Sequence, residues 1–330
     1  MGRRTNLALA VLLVAAVISG LASQAIGLDW ALDTAVIHGV VALAILLLAP
    51  WKSTVVRRGL KKSRPGRSFS LVLLGVVLLT LFSGLIHSHG ELTRIGSLTV
   101  MQIHVGGAIL ALGLVIDHFR RHPVTPRRFD LDRRAFLRTS TLAATAAGIW
   151  VAWEGALQAM EAPGSERRFT GMHQRGSHDP AALPTTSWFD DQVPRIDGAE
   201  WTVDVAGRTL SLAELDEVAG ETFPAILDCT GGWYSEQQWS GVRLDRLVDP
   251  AGNRSFVAWS RSGYARRFPI RDLKTTWLVT RLGGEPLSPG HGFPARIVAP
   301  ARRGFWWVKW VTRIELSPVP WWLQSPFPLT

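Results

Sequence analysis

The residue whose side chain is best suited to carry chemistry is Cys229, the single cysteine of the 330-residue chain. A lone cysteine excludes an intrachain disulfide and a cysteine-rich zinc site. Its thiolate would be a soft ligand suited to a transition metal, whereas a thiol in apolar surroundings serves only as a small buried side chain. Taken by itself, Cys229 leaves both interpretations open.

A second group of polar residues lies downstream, where His291, Arg296 and Lys309 follow one another in a stretch rich in Gly and Pro. Arg296 and Lys309 stand between apolar residues that are typical of strands. Cationic side chains in that setting are donors for an anionic ligand, although surface charge is the simpler explanation. The apolar flanks favour ligand binding.

Histidines within apolar segments form the third group. His38 and His104 each lie about five residues inside one end of such a segment, roughly 7 Å deep at ~1.5 Å per residue, and His87 lies at the same end of another. Two imidazoles that face each other at matched depth suit bis-histidine ligation of a b-type haem. His38 with His104 is the first choice of pair and His87 is the substitute. The alternative is a set of hydrogen-bonded histidines without a metal.

The elements that must hold these histidines are long apolar segments. A bilayer requires ~20 apolar residues per helix, and the N-terminal half contains several stretches near that length. A weaker fifth stretch, Phe136–Ala156, is rich in Ala and Thr. The sequence therefore predicts a transmembrane bundle of about five helices. The four stronger stretches are Leu7–Ile26, Asp33–Pro50, Phe69–Ile86 and Thr99–Ile116.

The distribution of charge predicts how these helices are oriented. The loops at 51–68 and 118–136 are rich in Lys and Arg, whereas the loops at 27–32 and 87–98 are nearly uncharged. By the positive-inside rule, the basic loops face the cytoplasm. Five crossings then place the C-terminal half outside the cytoplasm. Arg133-Arg134 followed by Phe136-Leu-Arg also resembles a twin-arginine export signal, which would predict a cofactor in the next domain.

The same distribution argues against nucleic-acid binding. The net charge of +10 arises in residues 1–138, which carry 17 Lys and Arg against 6 Asp and Glu. Residues 139–330 carry 19 basic against 20 acidic residues and offer no basic face for phosphates. The expected large partner is therefore a lipid bilayer.

The C-terminal half has the pattern of a mixed α+β domain with a β-rich core. Short apolar runs separated by Gly and Pro turns predict strands, and Ser211–Val218 and Arg243–Val248 predict short helices. We place the helical module at residues 1–158 and this domain at 159–330. The predicted strands are Trp201–Val205, Phe223–Leu227, Ser255–Trp259, Trp277–Thr280 and Arg296–Ala299.

Two blocks in this half resemble the molybdopterin domain of the sulfite oxidase superfamily. One is the segment from Leu227 to Leu244, in which a strand ends at Cys229 and a Gly turn and a Trp-Ser-Gly-Val-Arg-Leu run follow. The other is the stretch from Gly284 to Ile314. The blocks occur in the family's order, and the similarity covers about residues 165–325.

The resemblance implies a role for each candidate residue. Cys229 would be the single protein ligand to molybdenum, and Tyr234 and Tyr264 would line the reaction pocket with Trp233. His291, Arg296 and Lys309 would hold the pterin phosphate. The remaining cofactor contacts implied are Trp307, Val308, Ser260, Arg261, Thr186 and Ser187.

The chain departs from sulfite oxidases in ways that bear on the substrate. Thr186–Asp190 lacks the family's arginine, and the tail Trp321–Thr330 replaces an Arg-Arg-Asp-Tyr run. Sulfite is therefore a doubtful substrate. The organisation of the C-terminal domain is more similar to that of the catalytic subunit of bacterial periplasmic methionine-sulfoxide reductases. In this chain, that domain would be fused to a haem-b-like membrane module.

The expected function is a multi-pass membrane molybdenum oxidoreductase that performs two-electron oxygen-atom transfer on a small, sulfoxide-type molecule outside the cytoplasm. Electrons would be exchanged with the quinone pool through the membrane haem. Two alternatives remain open. The helices could be a haem-free anchor with soluble redox partners, or the domain could be a metal-free binding protein.

Overall fold

A computed structural model describes residues 2–25, 31–60, 67–121, 123, 132–168, 171–186 and 192–325. The chain divides into two compact units. One contains the long helices and continues to His173, and the other begins at Gln174 and includes the remainder of the chain. The division falls later than the predicted boundary at 158.

Five long α-helices dominate the first unit. A short β-hairpin connects the third and fourth helices. The helices are α1 (Gly2–Ala25), α2 (Ala31–Leu60), α3 (Arg67–His89), α4 (Val100–Arg121) and α5 (Arg133–Ala159), and the hairpin strands are β1 (Arg94–Ile95) and β2 (Leu98–Thr99).

Four of these helices, α1 to α4, are long and apolar enough to cross a membrane. Each matches one of the four stronger predicted stretches, except that Ile26 lies outside the described residues and Thr99 precedes α4. A helix suits such an apolar run because it satisfies the backbone hydrogen bonds within the segment itself. The weaker stretch, Phe136–Ala156, is helical, but α5 does not meet the same criterion of length and hydropathy. The prediction of about five transmembrane helices is therefore supported by length and composition for four helices, and the crossings themselves stay a prediction. The side of the membrane occupied by the second unit stays a prediction.

Packing explains why α5 is helical despite its weaker apolar character. Asp132 caps its first turn by accepting a hydrogen bond from the backbone N–H of Ala135 at 2.6 Å. Its Trp150 ring lies flat against α2 at Gly39, where a Cβ atom would overlap the indole. α5 thus belongs to the helical unit through side-chain contacts with α2.

The segment after α5 also packs on the helical unit, at the end of α3. Gly164 lies so close to the Ser88 carbonyl that a Cβ atom would overlap it. The His87 ring donates through Nε2 to the Gly171 carbonyl at 2.9 Å, and the His173 ring lies 4.7 Å from that of His87. These contacts explain why the unit extends to His173 rather than ending with α5.

The second unit contains two β-sheets and one α-helix, α6 (Leu212–Val218). One sheet has the order β5-β4-β13-β8-β9. In the other, β7 lies between β6 and β10, and β10 also pairs with β11 and β12. The strands are β3 (His173–Gln174), β4 (Thr202–Val205), β5 (Arg208–Ser211), β6 (Glu221–Asp228), β7 (Trp233–Arg243), β8 (Ser255–Ser260), β9 (Ala265–Pro269), β10 (Trp277–Leu282), β11 (Glu285–Pro286), β12 (Arg296–Val298) and β13 (Val311–Ser317).

All five predicted strands are present, and the fold class of the second unit is as expected. The predicted helix at Ser211–Val218 is α6, which begins with a capping box between Ser211 and Glu214. The short helix predicted at Arg243–Val248 is present only in part. Arg243 ends β7 opposite Trp277, and a 3-10 helix, Leu244–Arg246, follows it. Pairing with β10 outweighs the weak helical pattern of so short a segment.

Aromatic side chains fill the core of this unit. Phe256 and Phe268 stack across β8 and β9 with ring centroids 4.8 Å apart. Trp239 on β7 meets Trp307 edge to face at 5.6 Å. Burial of each such side chain contributes ~1.5–3 kcal/mol. This rigid aromatic layer supports the loops that carry the polar residues of the candidate site.

Candidate active site

Cys229 lies at the tip of the hairpin formed by β6 and β7. β6 ends at Asp228, and the Cys229 backbone N–H donates to the Trp233 carbonyl at 2.9 Å to close the turn. The turn needs glycine at Gly232, whose φ of 97° lies in the left-handed region. The Sγ atom accepts a hydrogen bond from the Gly231 backbone N–H at 3.3 Å. The local sequence therefore folds so that the sulfur is fixed at a strand end.

Burial raises the pKa of the Cys229 thiol above its ordinary value. Hydrogen bonds from Gly231 and Thr186 and the charges of Arg303 and Lys309 act in the opposite direction but are weaker. The protein thus stabilises a protonated thiol while no metal is present, and a metal ion would have to displace that proton.

This raised pKa leads to a testable pH dependence. In protein without a bound metal, alkylation of Cys229 by iodoacetamide should be several-fold slower than in the urea-unfolded chain at pH 8, because thiolate is the reactive form. The rate should keep rising to higher pH in the folded protein than in the unfolded chain. Mass spectrometry gives an unambiguous result, since the chain has one cysteine. Equal rates at pH 8 would contradict the assignment.

A cavity opens at the Cys229 sulfur, and most of the predicted site residues line it. Hydrophobic and aromatic side chains form much of its wall, which is usual for a cofactor or substrate pocket. The lining residues are Pro184, Thr186, Leu227, Cys229, Thr230, Trp233, Ser260, Tyr264, His291, Arg296, Gly304, Phe305, Trp307, Val308, Lys309 and Trp310.

Three predicted residues are not among those that line the cavity. Tyr234 follows Trp233 on β7, and since neighbouring side chains on a strand face opposite sides, it faces away when Trp233 lines the cavity. Arg261 is exposed, and its backbone N–H donates to the Trp310 carbonyl at 2.8 Å. Ser187 lies outside the described residues. Tyr234 and Arg261 thus contribute to the surroundings of the site rather than to its wall.

Arg296 is the most deeply buried cation that lines the cavity, with a side chain that is 2% exposed. Its guanidinium donates to the carbonyls of His291 at 3.0 Å and Trp307 at 3.3 Å. The Nε atom is buried and has no hydrogen-bond partner within the described residues. Burial lowers the pKa of Arg296 to about 9, while the nearby Cys229 sulfur acts in the opposite direction. A buried N–H without a partner is uncommon, and a bound ligand is one arrangement that would satisfy it.

Lys309 and His291 complete the polar wall. Lys309 Nζ donates to the carbonyls of Thr186 at 2.8 Å and Gly290 at 2.6 Å. His291 donates through Nε2 to the Leu183 carbonyl at 3.0 Å, and burial lowers its pKa, so the ring is neutral at neutral pH. Gly292, with φ at 111°, allows the side chains of Arg296 and Lys309 to approach each other, because a Cβ there would lie 3.0 Å and 3.2 Å from their Cβ atoms.

Sequence reasoning missed several residues of the site. Arg303 is fully buried, pairs with Asp228 through the backbone in an isolated β-bridge, and places its charge near Cys229. Thr230, Phe305 and Trp310 also line the cavity. An arginine pair directly before a glycine, Arg302-Arg303-Gly304, was a usable signal for Arg303. The other contacts depend on tertiary packing and have no local signature.

The helical unit contains a second polar arrangement, formed by His38 on α2 and His104 on α4. Their ring centroids are 5.9 Å apart, and the ring planes are nearly perpendicular at 86°. His38 Nδ1 donates to the Ala16 carbonyl at 3.0 Å, and His104 Nδ1 donates to the Thr80 carbonyl at 2.8 Å. Since a carbonyl can only accept, each ring keeps an unprotonated Nε2 for a metal.

Glycines lie against both rings. A Cβ at Gly20 would be 3.0 Å from the His38 ring, and a Cβ at Gly84 would be 3.0 Å from the His104 ring. His87, the predicted substitute ligand, instead uses Nε2 to bind the Gly171 carbonyl and stacks against His173. The structure thus brings His38 and His104 together and gives His87 other partners.

The sequence of the second unit, which contains this cavity, is similar to known proteins. Residues 190–322 match the family model "Oxidoreductase molybdopterin binding domain". An NADH nitrate reductase of Brassica napus is 27% identical over 173 residues, which cover 38% of this chain and 19% of the relative. An NAD(P)H nitrate reductase of Hordeum vulgare is 30% identical over 207 residues, which cover 46% and 23%. The chain therefore spans about a fifth of the length of these relatives.

Among solved structures, the sulfane dehydrogenase SoxCD from Paracoccus pantotrophus is 23% identical. The match covers 38% of this chain and 40% of that chain, with a TM-score of 0.36. The family match includes both the cysteine hairpin and the cationic wall. Residues 190–322 therefore resemble an oxidoreductase molybdopterin-binding domain of the sulfite oxidase and nitrate reductase type, which indicates an oxidoreductase.

Proposed function

We propose that this chain is a membrane-bound molybdenum oxidoreductase that transfers an oxygen atom to or from a small molecule in a two-electron reaction. The observation that carries the proposal is the position of Cys229, the only cysteine, at a cavity that the cationic side chains of Arg296 and Lys309 also line. A soft sulfur ligand beside buried cationic donors fits a molybdenum ion held with an anionic pterin.

The residues present fit that cofactor. Cys229 would supply the protein thiolate, and Arg296, Lys309 and His291 would hold the anionic end of the pterin. The main chain around Trp307 and Val308 would add further contacts. The bound cofactor supplies two-electron chemistry coupled to exchange of an oxygen atom.

Several side chains are placed to shape a substrate site next to the sulfur. The Tyr264 hydroxyl donates to the Phe305 carbonyl, which fixes that ring on the cavity wall. The Trp233 indole nitrogen lies near Gly231, where a Cβ would be 3.5 Å from it and 3.5 Å from Cys229 Sγ. Tyr264 and Trp233 would therefore orient a small neutral acceptor such as a sulfoxide and limit its access to water.

For the helical unit, the proposal is a b-type haem whose iron His38 and His104 would hold. The two rings lie on different helices with their centroids 5.9 Å apart, which brings two imidazoles together for this purpose. The Nδ1–carbonyl hydrogen bonds fix the tautomer that ligation needs. This haem would connect the molybdenum site with the quinone pool, and the basic loops would leave the second unit outside the cytoplasm.

The experiment is metal analysis and optical redox spectroscopy of the full-length protein, purified in detergent after expression with the cofactor-synthesis machinery. We expect about one molybdenum per chain, a reducible b-type haem band, and reduction of a sulfoxide with reduced viologen as donor. Molybdenum without haem would indicate that the helices only anchor the protein and that its redox partners are soluble proteins. Neither metal would overturn the enzyme proposal in favour of a binding protein.

A further inference from the structure

The helical unit has one end at which basic side chains from several helices meet. Arg4, near the start of α1, donates through Nη2 to Asp132, the residue that caps α5, at 3.1 Å. Lys52, in the C-terminal third of α2, donates to the Asn6 side chain on α1 at 2.8 Å. The starts of α1 and α5 therefore lie together with the C-terminal part of α2.

The same end of the unit includes the start of α3 and the end of α4. The guanidinium of Arg121, at the end of α4, lies 5.1 Å from the ring centroid of Phe69 at the start of α3. α2 and α4 meet near their starts, at His38 and His104, whose rings are 5.9 Å apart. Both helices therefore end on the opposite side, and five helix termini share what we call the basic end.

Cations outnumber acids at the basic end. Among the side chains that the structure describes there, eight are basic and two are acidic, and each acid, Asp117 or Asp132, already binds an arginine. A positive surface next to apolar helices attracts anionic lipid head groups. The eight basic residues are Arg3, Arg4, Lys52, Arg120, Arg121, Arg133, Arg134 and Arg138.

The first two turns of α5 combine charge with exposed apolar side chains. Arg133, Arg134 and Arg138 are all exposed, and the latter two, four residues apart, are neighbours on the helix surface. Beside them, Phe136 is 68% exposed and Leu137 is 53% exposed. Arginines mixed with exposed apolar side chains match both parts of a phospholipid, its phosphate and its acyl chains.

We propose that the start of α5 is a binding site for anionic phospholipids. Its three arginines hold the phosphate, and Phe136 and Leu137 pack against the acyl chains. The inference rests on the proposed membrane location but involves neither the cysteine cavity nor the histidine pair. It also differs from an export signal at Arg133-Arg134, because a receptor reads such a signal as a sequence, whereas a lipid surface needs only positive charge.

The test is native mass spectrometry of the full-length, cofactor-loaded protein in detergent, titrated with phosphatidylglycerol or with phosphatidylcholine of the same acyl chains. Wild type should bind phosphatidylglycerol at least ~10-fold more tightly, since each basic side chain near an anionic head group favours binding several-fold. The combined variant Arg133→Gln, Arg134→Gln, Arg138→Gln should lose this preference. Arg133→Lys combined with Arg134→Lys should keep it, because the charge remains.

The matched control is Arg94→Gln, which removes an exposed arginine from the hairpin at the other end of the helical unit. It should keep the full preference for phosphatidylglycerol. Glycerol 3-phosphate, which carries a phosphate without acyl chains, should not displace the lipid from wild type. Displacement by equimolar glycerol 3-phosphate would indicate a site for free phosphate and would overturn the proposal.

The lipid proposal and the enzyme proposal can fail separately. Equal affinity of wild type for the two lipids would overturn the lipid site, and this comparison does not depend on how any variant folds. Persistence of the preference in the glutamine variant, or its loss in the lysine variant, would overturn it as well. Molybdenum and haem contents of the same preparations report on the proposed enzyme independently of lipid binding.

Discussion

Replacement of Cys229 by serine is expected to lower turnover with reduced viologen by at least ~1000-fold, which corresponds to ~4 kcal/mol of lost transition-state stabilisation. A serine hydroxyl is a hard, weakly acidic ligand and does not replace a thiolate on a soft metal site. No second cysteine exists in the chain to take its place. Steady-state rates and molybdenum content per chain, measured on the same preparations, check the expectation.

The control for this variant is Gln238→Ser on the same hairpin. Gln238 is exposed on β7 and pairs with Pro224, away from the cavity. It should keep wild-type rates and molybdenum content, which would separate loss of the ligand from damage to the hairpin. A Cys229→Ser protein that kept more than a tenth of the wild-type rate would contradict the assignment of Cys229 as the metal ligand.

The second large effect is expected for His104→Ala, which should reduce haem content from about one per chain to almost none. His104 is the imidazole that lies beside His38, and the alternative imidazole of His87 is bound to the Gly171 carbonyl. Haem is measured as the pyridine haemochrome and as the difference between reduced and oxidised spectra. Molybdenum content should remain unchanged, because Cys229 and its cavity lie in the other unit.

His87→Gln is the matched comparison for the haem prediction. It removes the other candidate imidazole but keeps a side chain able to donate to Gly171. It should retain the haem band. If His87→Gln lost the haem while His104→Ala kept it, the ligand would be His87 and the paired geometry of His38 and His104 would have another purpose.

The sequence predicted local features of this protein well. The four strongly apolar helices follow from uninterrupted apolar runs, and Cys229 with the cationic wall follows from two short blocks in the chain. These signals are local, so neither requires knowledge of packing. The matched depth of His38 and His104 was also visible, because depth depends only on position along a helix.

Features that depend on packing between distant segments were not predicted. Tyr234 was expected at the site, but β7 begins at Trp233, and that register decides which of the two aromatic residues lines the cavity. The helix expected after Arg243 gave way to pairing with β10. Arg303 was not singled out, since its burial near Cys229 is apparent only when the neighbouring elements are in place.

The hairpin of β6 and β7 has a consequence for electron transfer. Its ladder pairs residues without a break from Glu221 with Gly241 to Asp228 with Tyr234, and Cys229 comes directly after the last pair. A sulfur held at the end of a continuous ladder moves little when the charge on its metal changes. In the proposed enzyme, this support would limit how far the sulfur shifts when the bound cofactor is oxidised or reduced.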